Sequence, residues 1–271
     1  MGNLDEALSK PVFELTLPYF LEAALSVPGN WFGLAPTLLI GPLWVAALEG
    51  SETTNPLLFY LILAGSSLSF LIVWISFLRG NMDVFKHVLA NKSLYLIGPS
   101  VTNGICYFLL TDQRDFSRAM YPALLWLPTT ITFMHLKEAS RRLRPCAKPK
   151  YQPLFERKHL DIIPRLLRKV GADSSFPSGD AAIGAIFAIS LAESQPQVAV
   201  TILFLSCFGR MYFLAHHLFD TIVGVLTAVA FHSALTWIGW GKEDLLITWW
   251  HPLVAQLSLL IFLVISKPTK H

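Results

Sequence analysis

In the stretch GRMYFLAHHLFD, residues 209–220, His216 and Asp220 stand four residues apart and Arg210 precedes His216 by six. Four residues of helix place two side chains on one face. A carboxylate there can hold one imidazole nitrogen protonated and oriented, leaving the other free to attack an electrophile. Two further clusters have chemical potential. HLKEASRRLRPC, residues 135–146, sets Lys137 and Arg144 seven apart, close to two helical turns, so both cations share a face. SSFPSGDAAIGAIFA, residues 174–188, begins an apolar helix after a Pro177-Ser178-Gly179-Asp180 corner. Free N–H groups at such a glycine-containing helix start bind phosphate well. Each cluster also has an ordinary explanation. The cations can flank a membrane span, Ser178 can cap a helix whose dipole Asp180 favours, each by ~1 kcal/mol or less, and the histidine can sit at an interface.

Composition says what must position these groups. Of 271 residues, 54% are hydrophobic and only 14% charged, against about 25% in soluble domains; the mean hydropathy is +0.52. Apolar stretches long enough to cross a bilayer as helices recur at about 31–49, 57–78, 94–110, 119–136, 179–194, 197–214, 217–238 and 245–265. The expected fold is therefore all-α, a polytopic membrane bundle of about seven to eight transmembrane helices. Its parts are an N-terminal interfacial or amphipathic segment (1–30), a transmembrane domain (31–265) and a short polar tail (266–271). Residues 11–27 hold two prolines and two glutamates, which suits an interfacial or re-entrant helix better than a span. Asp5, Glu6 and Glu14 occupy the place where a cleavable signal carries positive charge. The three cysteines, Cys106, Cys146 and Cys207, form neither a disulfide framework nor a zinc spacing. No feature points to nucleic acid.

Hydropathy also predicts convergence. The run 197–240 is too long for one span, and its charged side chains are Arg210 and Asp220. Charges at mid-bilayer cost several kcal/mol, so a turn near 210–220 should lift Arg210, His216, His217 and Asp220 to one surface. If 179–194 crosses away and 197–214 crosses back, that corner returns to the side holding the long 137–178 connection. All three clusters then meet at one face.

Together they resemble the type 2 phosphatidic acid phosphatase superfamily, membrane lipid phosphatases related to vanadium haloperoxidases, whose motifs are K-x6-RP, PSGH and SR-x5-H-x3-D. The chain reads Lys137-x6-Arg144-Pro145, Pro177-Ser178-Gly179-Asp180 and Gly209-Arg210-x5-His216-x3-Asp220, and the resemblance covers about 119–238. It implies a six-helix core and a lipid phosphate or diphosphate as substrate. Lys137, Arg144, Arg210, Ser178 and Gly179 would hold the phosphate. His216 would become phosphohistidine, Asp220 would orient it, and neither metal nor other cofactor would be required. Gly209 replaces the motif serine. Asp180 replaces the histidine that protonates the leaving group, and a carboxylate can do so only when protonated. A bound phosphate favours that state, while the helix start and three cations oppose it. The substitution therefore tilts the expected substrate towards lipid or isoprenoid diphosphates, whose leaving group needs little or no acid. His217 is a weaker stand-in acid, since one residue of helix turns it ~100° away.

A different reading is a catalytically impaired relative that binds phospholipid or scaffolds partners, with Asp180 marking a lost acid; a transporter would instead line its charges along a mid-membrane path. Of the 21 basic residues, 18 fall on the predicted active-site side, which by the positive-inside rule is cytoplasmic. Most of the resembled family works on the opposite face, so sidedness, membrane and oligomeric state stay open.

Overall fold

The computed structural model describes residues 2–26, 41–79, 92–159 and 174–242. Among these, the regular structure is helical. The helices are α1 (Gly2–Glu14), α2 (Tyr19–Ser26), α3 (Gly41–Glu49), α4 (Pro56–Leu78), α5 (Lys92–Leu109), α6 (Gln113–Ser140), the short α7 (Gln152–Phe155), α8 (Gly179–Leu191), α9 (Pro196–Tyr212) and α10 (Leu218–Trp237). Among the described residues, extended pairing is limited to isolated bridges, Thr53 with Leu110 and Leu143 with Ser174.

Helix α8 is the hub, packed on α9, α10, α6 and α3. Its sequence GDAAIGAIFAISL explains why, because small and apolar residues on every face let neighbours approach from all sides. A Cβ on Gly184 would lie 2.6 Å from Ser206 Oγ on α9, and a Cβ on Gly224 of α10 would lie 2.3 Å from the Ser178 carbonyl oxygen. Around this axis Ile186, Phe187 and Leu191 meet Tyr121, Leu125 and Trp126 of α6. A second apolar cluster joins α3, α4, α5 and α6 through Leu43, Phe59, Cys106 and Phe116.

The expected spans at 57–78, 94–110, 179–194, 197–214 and 217–238 correspond to α4, α5, α8, α9 and α10. Helix α6 exceeds its expected 119–136 at both ends, since Asp112 caps its start by accepting from Arg114 N–H at 2.7 Å. Its end is set by Arg141, whose left-handed backbone (φ 44°) closes on the Lys137 carbonyl. The first part of the expected 31–49 span, all of 245–265 and the tail 266–271 lie outside the described residues. Among the described residues one helix, Leu218–Trp237, is both long and apolar enough to cross a membrane; Pro56–Ile72 and Gly179–Leu191 are apolar but shorter.

The N-terminal stretch is docked on the bundle. Helix α1 packs on α9 and α10, burying Phe13 against Tyr151, Met211 and Leu214. Asp5 and Ser9 are buried with it. In α2, buried Glu22 accepts from Tyr212 Oη of α9 at 2.7 Å.

Candidate active site

Four helix ends meet at one end of the bundle: the C-termini of α6 and α9 and the N-termini of α8 and α10. Beyond Arg141 the chain runs extended beside 174–175. Ser175 N–H donates to the Arg142 carbonyl at 2.7 Å, and Cys146 N–H donates to the Leu214 carbonyl at 2.9 Å. These two bonds lock the 141–146 segment against both the opening of the Pro-Ser-Gly-Asp corner and the 213–217 turn. Lys137 donates from Nζ to the Ser174 carbonyl at 3.3 Å.

His216 lies in the turn before α10 and is 1% exposed. Its Nδ1 is 2.5 Å from the Ser175 carbonyl oxygen. A carbonyl only accepts, so Nδ1 carries the proton and Nε2 the lone pair. Nε2 is 3.2 Å from Arg144 Nη1 and 3.3 Å from Arg210 Nη2. Burial, then the charges of Arg144, Arg210 and Lys137, push the imidazole well below the ordinary histidine range. It is neutral near pH 7, with its lone pair facing two guanidinium groups. Arg144 also donates to the Ala215 carbonyl at 3.1 Å. Burial and the neighbouring Arg210 lower it to about 10, which leaves it a cation at neutral pH.

Asp220 departs from the geometry expected of it. The helix starts at Leu218, so His216 is outside it and the two side chains do not stack as an i, i+4 helical pair. Asp220 occupies the third helical position and folds back on the cap residue. Its Oδ2 accepts from His217 N–H at 2.8 Å and lies 3.3 Å from His217 Nδ1, whereas His216 Nδ1 is 3.9 Å away. Its Oδ1 accepts from Arg142 Nη1 at 2.7 Å. The direct hold on His216 is therefore the Ser175 carbonyl, with Asp220 behind it.

At the Pro-Ser-Gly-Asp corner, Ser178 caps α8 by accepting from Ala181 N–H at 3.3 Å. Its own N–H donates to the Asp220 carbonyl at 2.8 Å. Gly179 is packed so closely that a Cβ there would lie 3.3 Å from the Phe133 ring. Asp180, in the first turn, pairs through Oδ2 with Arg210 Nε at 2.9 Å and is the more exposed partner, 19% against 3%. The expected residues Lys137, Arg144, Ser178, Gly179, Asp180, Arg210, His216 and Asp220 thus gather at one place, as the folding of the chain at 210–220 requires.

Residues outside the motifs complete the arrangement. Arg142 bridges Asp220 and Asp5, donating from Nη2 to Asp5 Oδ2 at 2.6 Å. His217 turns away from the two guanidinium groups, towards Asp220, Glu6 (Nε2 to Oε1, 3.9 Å) and the edge of Phe13. Asp5, His217 and Asp220 offer ligand atoms within 4.8 Å of one another, yet the Arg142 guanidinium already supplies the cation between the two carboxylates. The basic run RRLRP at 141–145 drew attention to this region in sequence; nothing about Asp5 or Ser175 distinguished them there.

A helical bundle that gathers an imidazole and two buried guanidinium groups at one end has the charge and hydrogen-bond donors that suit an anion. Residues 119–244 match the sequence model of the PAP2 superfamily, which supports the resemblance to the type 2 phosphatidic acid phosphatase superfamily. Its members are phosphatases, commonly acting on lipids, and are typically membrane proteins. No curated protein and no solved structure matches the chain significantly.

Proposed function

We propose that the chain is an integral-membrane lipid phosphatase working through a phosphohistidine on His216. The observation that carries this reading is the His216 Nε2 lone pair, 3.2 and 3.3 Å from two buried guanidinium groups. An anion drawn to Arg144 and Arg210 arrives beside the nucleophile. Nε2 attacks phosphorus, the Nε2–P bond forms, and the P–O bond to the leaving group breaks with its electron pair. Water then hydrolyses the phosphoramidate, returning the imidazole and releasing phosphate. Arg144, Arg210 and Lys137 act as the electrostatic clamp on the transferring group, with the Ser178–Gly179 helix start as its backbone side. The Ser175 carbonyl keeps the proton on Nδ1 throughout, and Asp220 stands behind as counter-charge.

Asp180 stands where the family motif has its acid, and its Oδ2 is engaged by Arg210 Nε at 2.9 Å rather than turned to a leaving group. A leaving group that departs as a stable phosphate anion needs no acid, so the favoured substrate is a lipid or isoprenoid diphosphate over a lipid monophosphate. A multi-pass arrangement of about seven to eight spans accompanies this reading. It is supported by large apolar side chains turned outward on three helices: Leu57, Leu61 and Leu68 on α4, Val200 and Phe204 on α9, Leu226 on α10. Apolar surface on this scale favours a lipid surround over water. Trp237, 87% exposed at the end of α10, suits the headgroup level.

The test is a phosphoenzyme trap. The purified protein is mixed with terminally 32P-labelled polyprenyl diphosphate or phosphatidate and quenched in alkali. An acid-labile, alkali-stable label present in wild type and absent from His216→Ala supports the reading. Lipid binding without label or phosphate release supports the impaired relative instead.

A further inference from the structure

Arg142 occupies one of the unspecified positions between Lys137 and Arg144, yet it reaches both groups that flank His216 Nδ1. Its carbonyl accepts from Ser175 N–H at 2.7 Å, and the Ser175 carbonyl holds Nδ1 at 2.5 Å. Its guanidinium spans Asp220 Oδ1 at 2.7 Å and Asp5 Oδ2 at 2.6 Å. From α1, Asp5 Oδ1 accepts from Phe219 N–H at 3.0 Å and Ser9 Oγ accepts from Leu218 N–H at 2.9 Å. Two of the N–H groups that a helix start leaves without helical partners are thus satisfied by a helix more than 200 residues away in sequence. Asp5 is 1% exposed, and removing one member of such a buried charge pair strands the other.

We propose that Asp5 and Arg142 are positioning residues for His216, which makes the N-terminal helix part of the active centre. This rests on His216 being the nucleophile. The physical logic lies in the charge on the two sides of the ring. Behind Nδ1 stand two carboxylates, Asp5 and Asp220, against one guanidinium, a net negative charge. In front of Nε2 stand the cations Arg144 and Arg210. The field across the ring keeps the proton on Nδ1 and the lone pair on Nε2, and the Arg142 fork keeps Ser175 and Asp220 in register. The other titratable neighbours are Lys137, whose Nζ donates to the Ser174 carbonyl, His217, bonded to Asp220, and Glu6, which Lys148 and Lys150 engage.

The experiment uses the full chain in nanodiscs, comparing wild type with Asp5→Asn and Arg142→Lys. Neither residue touches the phosphate clamp. Asp5→Asn should lower kcat and the rate of phosphoenzyme formation about ten- to a hundred-fold, the scale of a nucleophile slightly misplaced. KM and the inhibition constant of inorganic phosphate should stay within about two-fold. Arg142→Lys, which keeps the charge but loses the fork, should lose less than Arg142→Gln. A kcat within two-fold of wild type in Asp5→Asn overturns the proposal, as does a parallel loss of kcat, phosphate affinity and melting temperature. A second readout needs no turnover. In 15N-histidine NMR the His216 signals are those missing from His216→Gln. They should report one Nδ1–H tautomer in wild type and a tautomer mixture in Asp5→Asn. If wild type hydrolyses no substrate, the phosphatase reading fails by itself; an unchanged tautomer then overturns the positioning role separately.

Discussion

Arg210 Nε and Asp180 Oδ2 form an ion pair at 2.9 Å, so the residue that departs from the phosphatase motif is held by one of the cations proposed to bind phosphate. On the proposed mechanism the carboxylate and an incoming phosphate compete for the same guanidinium.

That competition makes Asp180 the place to alter substrate choice. Asp180→His should raise kcat/KM for a lipid monophosphate by about ten-fold or more, since general acids contribute roughly 10²–10⁴ where they are needed. A matched diphosphate should gain little. Asp180→Asn releases Arg210 without adding an acid, so it should tighten inorganic phosphate inhibition without favouring the monophosphate. Wild-type preference for the monophosphate would defeat this account of Asp180.

The pH dependence follows from His216, whose folded value lies below the ordinary range because of burial and the charges of Arg144, Arg210 and Lys137. As the proposed nucleophile, His216 must be neutral, so kcat/KM should stay level as pH falls through about 6.5, the usual histidine value, and decline only below it. Stability carries the matching sign. Between the folded and unfolded values the unfolded chain binds the extra proton, so the contribution is complete above about 6.5 and is lost as pH falls below it. Thermal melts of wild type against His216→Gln from pH 8 to 5 should show a steeper acid loss in wild type. Its extra slope should not exceed about 1.4 kcal/mol per pH unit.

Gly224 tests how tightly the corner is seated. An added Cβ would lie 2.3 Å from the Ser178 carbonyl oxygen, a backbone atom that cannot rotate aside. Gly224→Ala should cost about 1–3 kcal/mol of stability and weaken phosphate inhibition by displacing Ser178 and Gly179. Gly184→Ala meets the Ser206 side chain at 2.6 Å, one helical turn further from the corner. It should lower the melting temperature while leaving phosphate inhibition within about two-fold. Equal effects on inhibition would show that the corner is not specially constrained.

Much of this site was legible in residue types and spacing. The Lys137–Arg144, Ser178–Gly179–Asp180 and Arg210–His216–Asp220 clusters each carry side chains whose chemistry announces itself, and charge avoidance in an apolar chain required the 210–220 corner to rejoin the 137–178 connection. Helical character was equally plain, because long apolar runs with few charges have one economical backbone solution. The relation of His216 to Asp220 was not legible. A four-residue spacing means stacking only inside a helix, and α10 begins two residues after His216, a boundary decided by the cap that His217 and Asp220 form.

By itself, then, the sequence determined helical character, the resemblance to a phosphatase family and the set of residues that meet. Tertiary structure alone decided what holds His216: the Ser175 carbonyl, and behind it Arg142 and Asp5. The reason is physical. A carbonyl is present at every residue and carries no signature of type. An ion pair between residues 137 positions apart depends on packing that no local periodicity records.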